Sequence, residues 1–324
     1  MQLGVGLPSF ASETHAIPPE RFRRYVRLAE EHGFAGGWLI EHLVEPPSYA
    51  SSLLDPLTTL SVTAGETETL PVGTSVMLLP LRNPVLAAKR ALTLQHLTSR
   101  QLTLGMGTGY VEGEFDAVGV PMEERSGRYL EGIELMRRLF YEDEVTFDGE
   151  FFSVDGLSLE PKLGQPPRIL AGGGGVDTDD GRRVLRTVKR RLEHADGWIA
   201  APRSTEILEK DWERFSAYLD SKGTDPASMD TVALQYIHLV TDENPEAAKQ
   251  AQLQVYDNVV GDERSVEHAT QNWLTGTIDE IRGTLAEYDR LGFDEVILHP
   301  MATQPAELER QLRLYERHLL PEHE

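Results

Sequence analysis

Two glycine-rich runs, one Glu-His pair and a pair of arginines are the residues of this chain whose types and spacing could do chemistry. The run RILAGGGG, Arg168 to Gly175, ends a short apolar strand in four consecutive glycines. A second run, GMGTGY from Gly105 to Tyr110, ends another strand in the same way. Glycine packs nothing and loses the most conformational freedom on folding, so such runs need a reason. Their bare N–H groups form a concave nest for an anion, and the backbone can come close to a ligand. A tight helix–strand junction uses the same composition, so one run alone leaves both readings open. Two such ends facing one opening favour a ligand.

Glu41-His42 follows a third apolar run. A histidine there could donate a proton or hydrogen-bond an electron-rich ring. It could equally be satisfied by its surroundings. Glu41 either orients His42 or lines the interior as a partnered acid. Arg125 and Arg128 could reach a phosphate, or pair with Glu123 and Glu124. His299 is a weaker candidate, because Pro300 redirects the chain at once.

Several chemistries lack their residues. There is no cysteine, so thiolate nucleophiles, disulfides and cysteine metal sites are excluded. The histidines show no metal-ligand spacing, and neither GxSxG nor GxGxxG occurs. A metal-dependent hydrolase would need clustered ligands at strand ends, which the sequence does not offer. No metal is expected. The net charge is −22, from 31 Lys+Arg and 53 Asp+Glu. That acidity is spread along the chain as a solvated surface suited to high salt. It argues against nucleic acid and anionic lipid as partners. The N-terminus enters a strand with no leader pattern. No apolar run nears the roughly 20 residues of a spanning helix. The expected location is the cytoplasm.

The elements that must position these residues alternate along all 324 residues. Strands are read at Leu3–Pro8, Gly37–Glu41, Leu70–Leu79, Gln101–Gly105, Arg168–Ala171, Gly197–Ala200, Val232–Val240 and Glu295–His299. The first ends in Pro8-Ser9-Phe10. Phe22, Tyr25, Val26 and Ala29 mark the helix after it, and Gly33 stops that helix. Asp55-Pro56 and Asn83-Pro84 each place a capping side chain before a proline suited to the first helical turn. Ala87, Ala91 and Leu94 line the helix after Asn83. A long loop follows the fourth strand. The next helix shows Tyr129, Ile133, Met136 and Phe140. Residues 145–160 break the rhythm, because VTFDGEFFSVDG alternates and holds the two-residue turn signal Asp148-Gly149. Helices near 245–260 and 277–291 precede the eighth strand, the second opened by a capping box of Thr277 and Glu280. Leu308, Leu312, Tyr315 and Leu319 mark the last helix. Eight strand–helix units predict a single (β/α)8 barrel domain over 1–324, with a hairpin excursion near 145–160 and extra helices before strand eight. An open doubly wound sheet is the alternative.

Taken in order, these segments resemble the bacterial-luciferase-like oxidoreductases, which include flavin-dependent monooxygenases and deazaflavin-dependent dehydrogenases and reductases. The carriers are WLIEHLVEP, the stretch from LDPLTTL through PLRNP to LGMGTGY, EGEFDAVGVPMEERSGRYLEGIELMRRLF, ILAGGG, HADGW and TIDEIRGTLAEYDRLGFDEVILHP. The resemblance implies an oxidoreductase that binds FMN or the deazaflavin F420 at the barrel mouth and acts on a small organic molecule, by hydride transfer or monooxygenation. It puts His42 near the cofactor ring, with Glu41 beside it. It implies a cis peptide at Ser75-Val76 as a bulge under the ring. Gly107, Thr108, Gly109 and Tyr110 would border the cofactor. Gly172, Gly173 and Gly174 would hold its phosphate. A barrel that binds such a cofactor as carrier or sensor, without turnover, is the alternative function. Sugar-phosphate dehydrogenases of this superfamily carry an acid where Tyr110 stands, so Tyr110 argues against that activity. The insert after Gly175, with Asp177, Asp179 and Asp180, is longer and more acidic than the family pattern. The family commonly pairs subunits through the helices at 55–65 and 83–98, so a homodimer is expected, with Leu60, Ala64, Ala87, Ala88 and Ala91 on those helices.

Overall fold

Short apolar strands that are buried on both faces cannot stand alone, and here they close on one another. A computed structural model of the chain describes all residues except 9–16, 45–52, 99, 175–187, 261–265, 303 and 321–324. Ser9, Phe10, Gly175, Asp177, Asp179 and Asp180 therefore lie outside the described residues. The strands are β1 (Gln2–Gly6), β2 (Gly37–Leu39), β3 (Val72–Leu78), β4 (Leu102–Gly107), β5 (Val145–Asp148), β6 (Ser153–Leu157), β7 (Arg168–Gly172), β8 (Gly197–Ala200), β9 (Asp230–Ile237) and β10 (Glu295–Pro300). Eight of them form a closed barrel in the order β1-β10-β9-β8-β7-β4-β3-β2. Every pairing in it is parallel, and β1 closes on β10 with Gln2 opposite Glu295. The protein is a (β/α)8 barrel, not an open sheet.

The surrounding helices are α1 (Pro19–Glu31), α2 (Pro56–Glu66), α3 (Pro84–Leu97), α4 (Glu112–Val118), α5 (Arg125–Tyr141), α6 (Thr205–Lys222), α7 (Pro245–Val260), α8 (Val266–Asn272), α9 (Ile278–Arg290) and α10 (Pro305–His318). Residues 188–192, before β8, are also helical. The caps act as the sequence suggests. The Asp55 side chain accepts from Thr58 N at 2.9 Å, and Asn83 accepts from Val85 N and Leu86 N. Thr277 and Glu280 form the reciprocal capping box of α9.

Two apolar layers result. Trp38, Ile40, Leu170, Ile199, Leu234, Tyr236 and Ile297 belong to one buried cluster. These are alternate positions of the strands, which fill the inside of such a barrel. The larger cluster packs helix faces against the outside, including Phe22, Tyr25, Val26 and Ala29 of α1 and Tyr129, Ile133 and Met136 of α5.

Three expectations are corrected. The loop expected after β4 contains α4, whose seven residues are too short to show a helical period. The hairpin exists as the separate antiparallel pair β5–β6, but Asp148 lies opposite Ser153, so its turn spans 149–152. The Glu131 carboxylate of α5 shapes this turn by accepting from the N–H groups of Glu150, Phe151 and Phe152, a side-chain bond that a two-residue turn rule does not foresee. Third, α8 adds a helix between the two expected before the eighth barrel strand.

Candidate active site at the barrel mouth

Parallel strands all end at one rim, so the residues that follow them meet there. A cavity of about 300 Å³ opens at this end. Its lining includes Glu41 and His42 after β2, Ser75 and Val76 of β3, and Gly107 to Tyr110 after β4. Gly172 and Gly173 at the end of β7 also line it, as do Ile199 to Pro202, Leu234 and Tyr236. The structure thus brings together Glu41, His42, Ser75, Val76, Gly107 to Tyr110, Gly172 and Gly173, and leaves Gly174, Arg125, Arg128 and His299 outside the lining. A Cβ at Gly174 would meet Asp211 at 2.9 Å and Trp198 at 3.2 Å, on the helix side of the strand.

The floor is built by β3. The Ser75-Val76 peptide is cis, and the pairing of β3 with β4 shifts register between Thr74 and Met77. Val76 is set between two glycines. A Cβ at Gly107 would lie 2.5 Å from Val76 Cγ2, and one at Gly172 would lie 3.3 Å from Val76 Cγ1 and run into the Met106 carbonyl. Both glycines are therefore required by the bulge itself, before any ligand is considered.

The third glycine differs. Gly173 has φ +131, where an L side chain is strained, and a Cβ there would lie 2.7 Å from Val188. Its N–H makes only a long 3.4 Å bond to the Ile199 carbonyl, while its own carbonyl accepts from Trp198 Nε1 at 2.6 Å.

His42 Nδ1 lies 3.2 Å from Glu114 Oε1, and the Leu43 N–H donates to the same oxygen at 2.6 Å. The Glu114 side chain is fully buried, and among the described residues its Oε2 has no hydrogen-bond partner. Tyr110 meets the His42 ring edge-on at 5.6 Å and is 54% exposed. Sequence reasoning missed Glu114. The signal was present in EGEFDAVG, but an acid in a helix's first turn reads as one that answers the helix dipole.

Glu41 is engaged elsewhere. Arg82 forks onto both its oxygens, and the Leu78 N–H donates to Oε2 at 2.6 Å. Burial pushes its carboxyl up while Arg82 pulls it down, and the balance lies above the ordinary glutamate range. Of the two roles open to Glu41, the geometry supports the partnered acid that ties β2 to β3. His299 lies deeper, stacked on Tyr236 with ring centroids 5.7 Å apart, and burial holds its pKa at about 3, so it is neutral. Arg128 pairs with Glu124 at 2.7 Å, as the sequence allowed, whereas Arg125 donates to the Met122 carbonyl.

The site suits a flat, largely apolar ring with a polar edge. Val76, Ile40, Ile199 and Leu234 supply apolar walls, and His42 supplies a polar group at one side, backed by the buried Glu114 carboxylate. Among the described residues no group of His, Asp and Glu is placed to hold a metal ion, and no helix is long and apolar enough to cross a membrane.

Known proteins share this architecture. The family model described as luciferase-like monooxygenase matches residues 1–295. An F420-dependent glucose-6-phosphate dehydrogenase of Kineococcus radiotolerans is 25% identical over 316 residues, covering 90% of this chain and 90% of that protein. The structure of an F420-dependent secondary alcohol dehydrogenase in complex with an F420-acetone adduct superposes with a TM-score of 0.78 at 18% identity, covering 98% of each chain. The oxygenating constituent of 3,6-diketocamphane monooxygenase from Pseudomonas putida, in complex with FMN, gives 0.71 at 13% identity, covering 99% of this chain and 98% of that one.

Proposed function

Because the chain belongs to the luciferase-like monooxygenase family, whose relatives include F420-dependent dehydrogenases and an FMN-bound monooxygenase, we propose that it is an oxidoreductase that binds F420 or FMN in the barrel-mouth cavity. When bound, such a cofactor supplies the hydride or the activation of oxygen. The substrate is a small organic molecule. The observation that carries the reading is the convergence of His42, the Ser75-Val76 bulge, Gly107 to Tyr110 and Gly172-Gly173 on one cavity.

The chain's own residues divide the work. Val76, packed between Gly107 and Gly172, would support the ring. Ile40, Ile199 and Leu234 would keep water from it. His42 moves a proton at the substrate side. Its Nδ1 faces the Glu114 carboxylate, so Nε2 is the nitrogen proposed to meet the substrate. Gly173, turned out of the ladder at positive φ, is the glycine assigned to the phosphate. Gly172 and Gly174 have no such placement: Gly172 also bonds Tyr129 through its backbone, and Gly174 faces α6. A buried histidine–carboxylate pair is machinery that a cofactor carrier would not need, which favours turnover. Tyr110, standing where sugar-phosphate dehydrogenases have an acid, sets this protein apart from the glucose 6-phosphate activity of its relative.

A homodimer is part of the proposal. Leu60, Ala87, Ala88 and Ala91 are buried against the barrel and so do not support it. Leu86, Leu97 and Val62 do, since they leave large apolar side chains exposed on α3 and α2. Titration of the apo-protein with FMN and with F420, followed by absorbance and fluorescence, tests the reading. Saturable binding of one of them is expected. Binding of neither would overturn it.

A further inference from the structure

A second cavity, of about 470 Å³, lies on the outer side of the barrel wall, and none of its lining residues lines the mouth. It is framed by β9, the start of α6, the end of α8 and the middle of α9. Leu234 and Tyr236 belong to the interior cluster, so Gln235 between them faces outward into the helix layer. Gln235 is 1% exposed and lines this cavity. Its Nε2 donates to the Arg203 carbonyl at 3.0 Å and to the Tyr288 hydroxyl, but among the described residues its Oε1 has no hydrogen-bond partner. A buried acceptor left unpaired costs free energy and needs an explanation. Two further features point the same way. Ser204 is the N-cap of α6, yet its hydroxyl makes no capping bond, and the residue lines the cavity instead. Gly283 sits inside α9, where glycine destabilises a helix relative to alanine. A Cβ there would meet nothing within 4 Å, so neither packing nor a positive φ requires the glycine. Its effect is to leave the cavity open.

We propose that this cavity is a binding site for a small neutral polyol, a molecule of monosaccharide size whose hydroxyl groups meet Gln235 and Ser204. The ligand must donate to Gln235 Oε1, and an ionised carboxylate or phosphate only accepts. The charged lining residues are Arg203 and Lys249 against Glu280 and Glu287, two of each sign in a chain of net charge −22. Such a balance favours neither a cation nor an anion. Both acids are also occupied. Glu280 accepts from Thr277 N in the cap of α9, and Glu287 accepts from Thr205 Oγ1 at 2.6 Å. Hydroxyls both donate and accept, which suits an amide with a spare acceptor beside hydroxyl side chains such as Ser204 and Thr284. Trp273 and Leu274 offer apolar surface to the carbon skeleton. The inference stands apart from the cofactor reading, since it uses no residue of the mouth.

Calorimetric titration of the whole protein with D-galactose and with myo-inositol tests it, with D-galactosamine and D-galacturonate as charged counterparts. Wild type is expected to bind at least one neutral probe saturably in the millimolar range or tighter, and the charged sugars at least about 10-fold more weakly. Gln235→Leu removes the acceptor and should weaken binding about 10-fold. Gly283→Leu fills the opening from α9 and should abolish the binding heat. Because leucine is the better helix former, the same variant should raise the Tm without ligand, which separates loss of the site from loss of the fold. If Gln235→Leu fails to fold, Gly283→Leu decides alone. No saturable binding of either neutral probe would mean that water alone occupies the cavity, and would overturn the proposal. Equal binding by wild type and either folded variant would place the sugar elsewhere and would overturn it too. So would tighter binding of a charged sugar.

Discussion

His42 and Glu114 come from different elements, the end of β2 and the first turn of α4, and meet at 3.2 Å. A positioned acid–base group contributes roughly 10²–10⁴ in rate, so His42→Ala should lower turnover by about that much with any usable substrate. Unchanged steady-state rates would remove His42 from the mechanism. Glu114→Gln keeps the shape and removes the charge. It should cost about 10–100-fold, the worth of one charged hydrogen bond, and should shift the pH profile, which a packing role would not. A second residue sits at the opposite end of the barrel. Loss of solvation raises the Glu295 carboxyl from 4.5 to about 7, against its bond from Trp38 Nε1 at 2.7 Å. The folded protein therefore holds more protons than the unfolded chain between these values, and stability falls as pH rises through them. Glu295→Gln should be neutral below pH 4.5 and stabilising, on the order of 1–3 kcal/mol, above pH 7. Denaturant melts across that range would show it, and a pH-independent difference would count against it. Residues with a chemical mark, such as a histidine after a strand or a glycine run, were legible in the sequence. Glu114 was not, because it is one charged residue among many until the fold selects it.

At the scale of elements, the barrel strands were legible because each is a short apolar run, and helix signals such as the stripe of α1 or the caps of α2 and α3 separate several of them. Their ends were less so. β3 runs Val72–Leu78 and β9 stops at Ile237, inside the expected limits, since apolar residues continue past the last ladder bond. The two glycines that flank Val76 carry an element-scale prediction. A side chain at Gly172 would meet the Met106 carbonyl, which belongs to the adjacent strand and cannot swing away. Gly172→Ala should destabilise by about 1–3 kcal/mol through overpacking, seen as a lower Tm in the absence of any ligand. An unchanged Tm would mean that the β4–β7 seam can open. Gly173→Val should lower both Tm and cofactor affinity, because its φ of +131 and the nearby Val188 make the fold and the site share that position.

For the whole molecule, the charge of −22 acts everywhere at once. Self-repulsion opposes compaction and is screened within about 10 Å at 0.1 M salt. Tm should therefore rise as sodium chloride is increased from low millimolar to about 0.5 M, with most of the gain early, where screening changes fastest. A flat response would mean that local ion pairs such as Arg21 and Arg24 with Glu309 already balance the surface. The closure of β1 on β10 has a consequence for how the protein is made. The first strand pairs early with β2 but finds its second partner only in residues 295–298, and the terminal amine pairs with Asp289. A ribosome delivers those residues long after β1. Until then the nascent chain carries β1 with one side unpaired, and β9 waits for the same neighbour. During translation such open edges invite pairing with other chains. The barrel cannot seal piece by piece: β1 and β9 each keep one open edge until β10 is made.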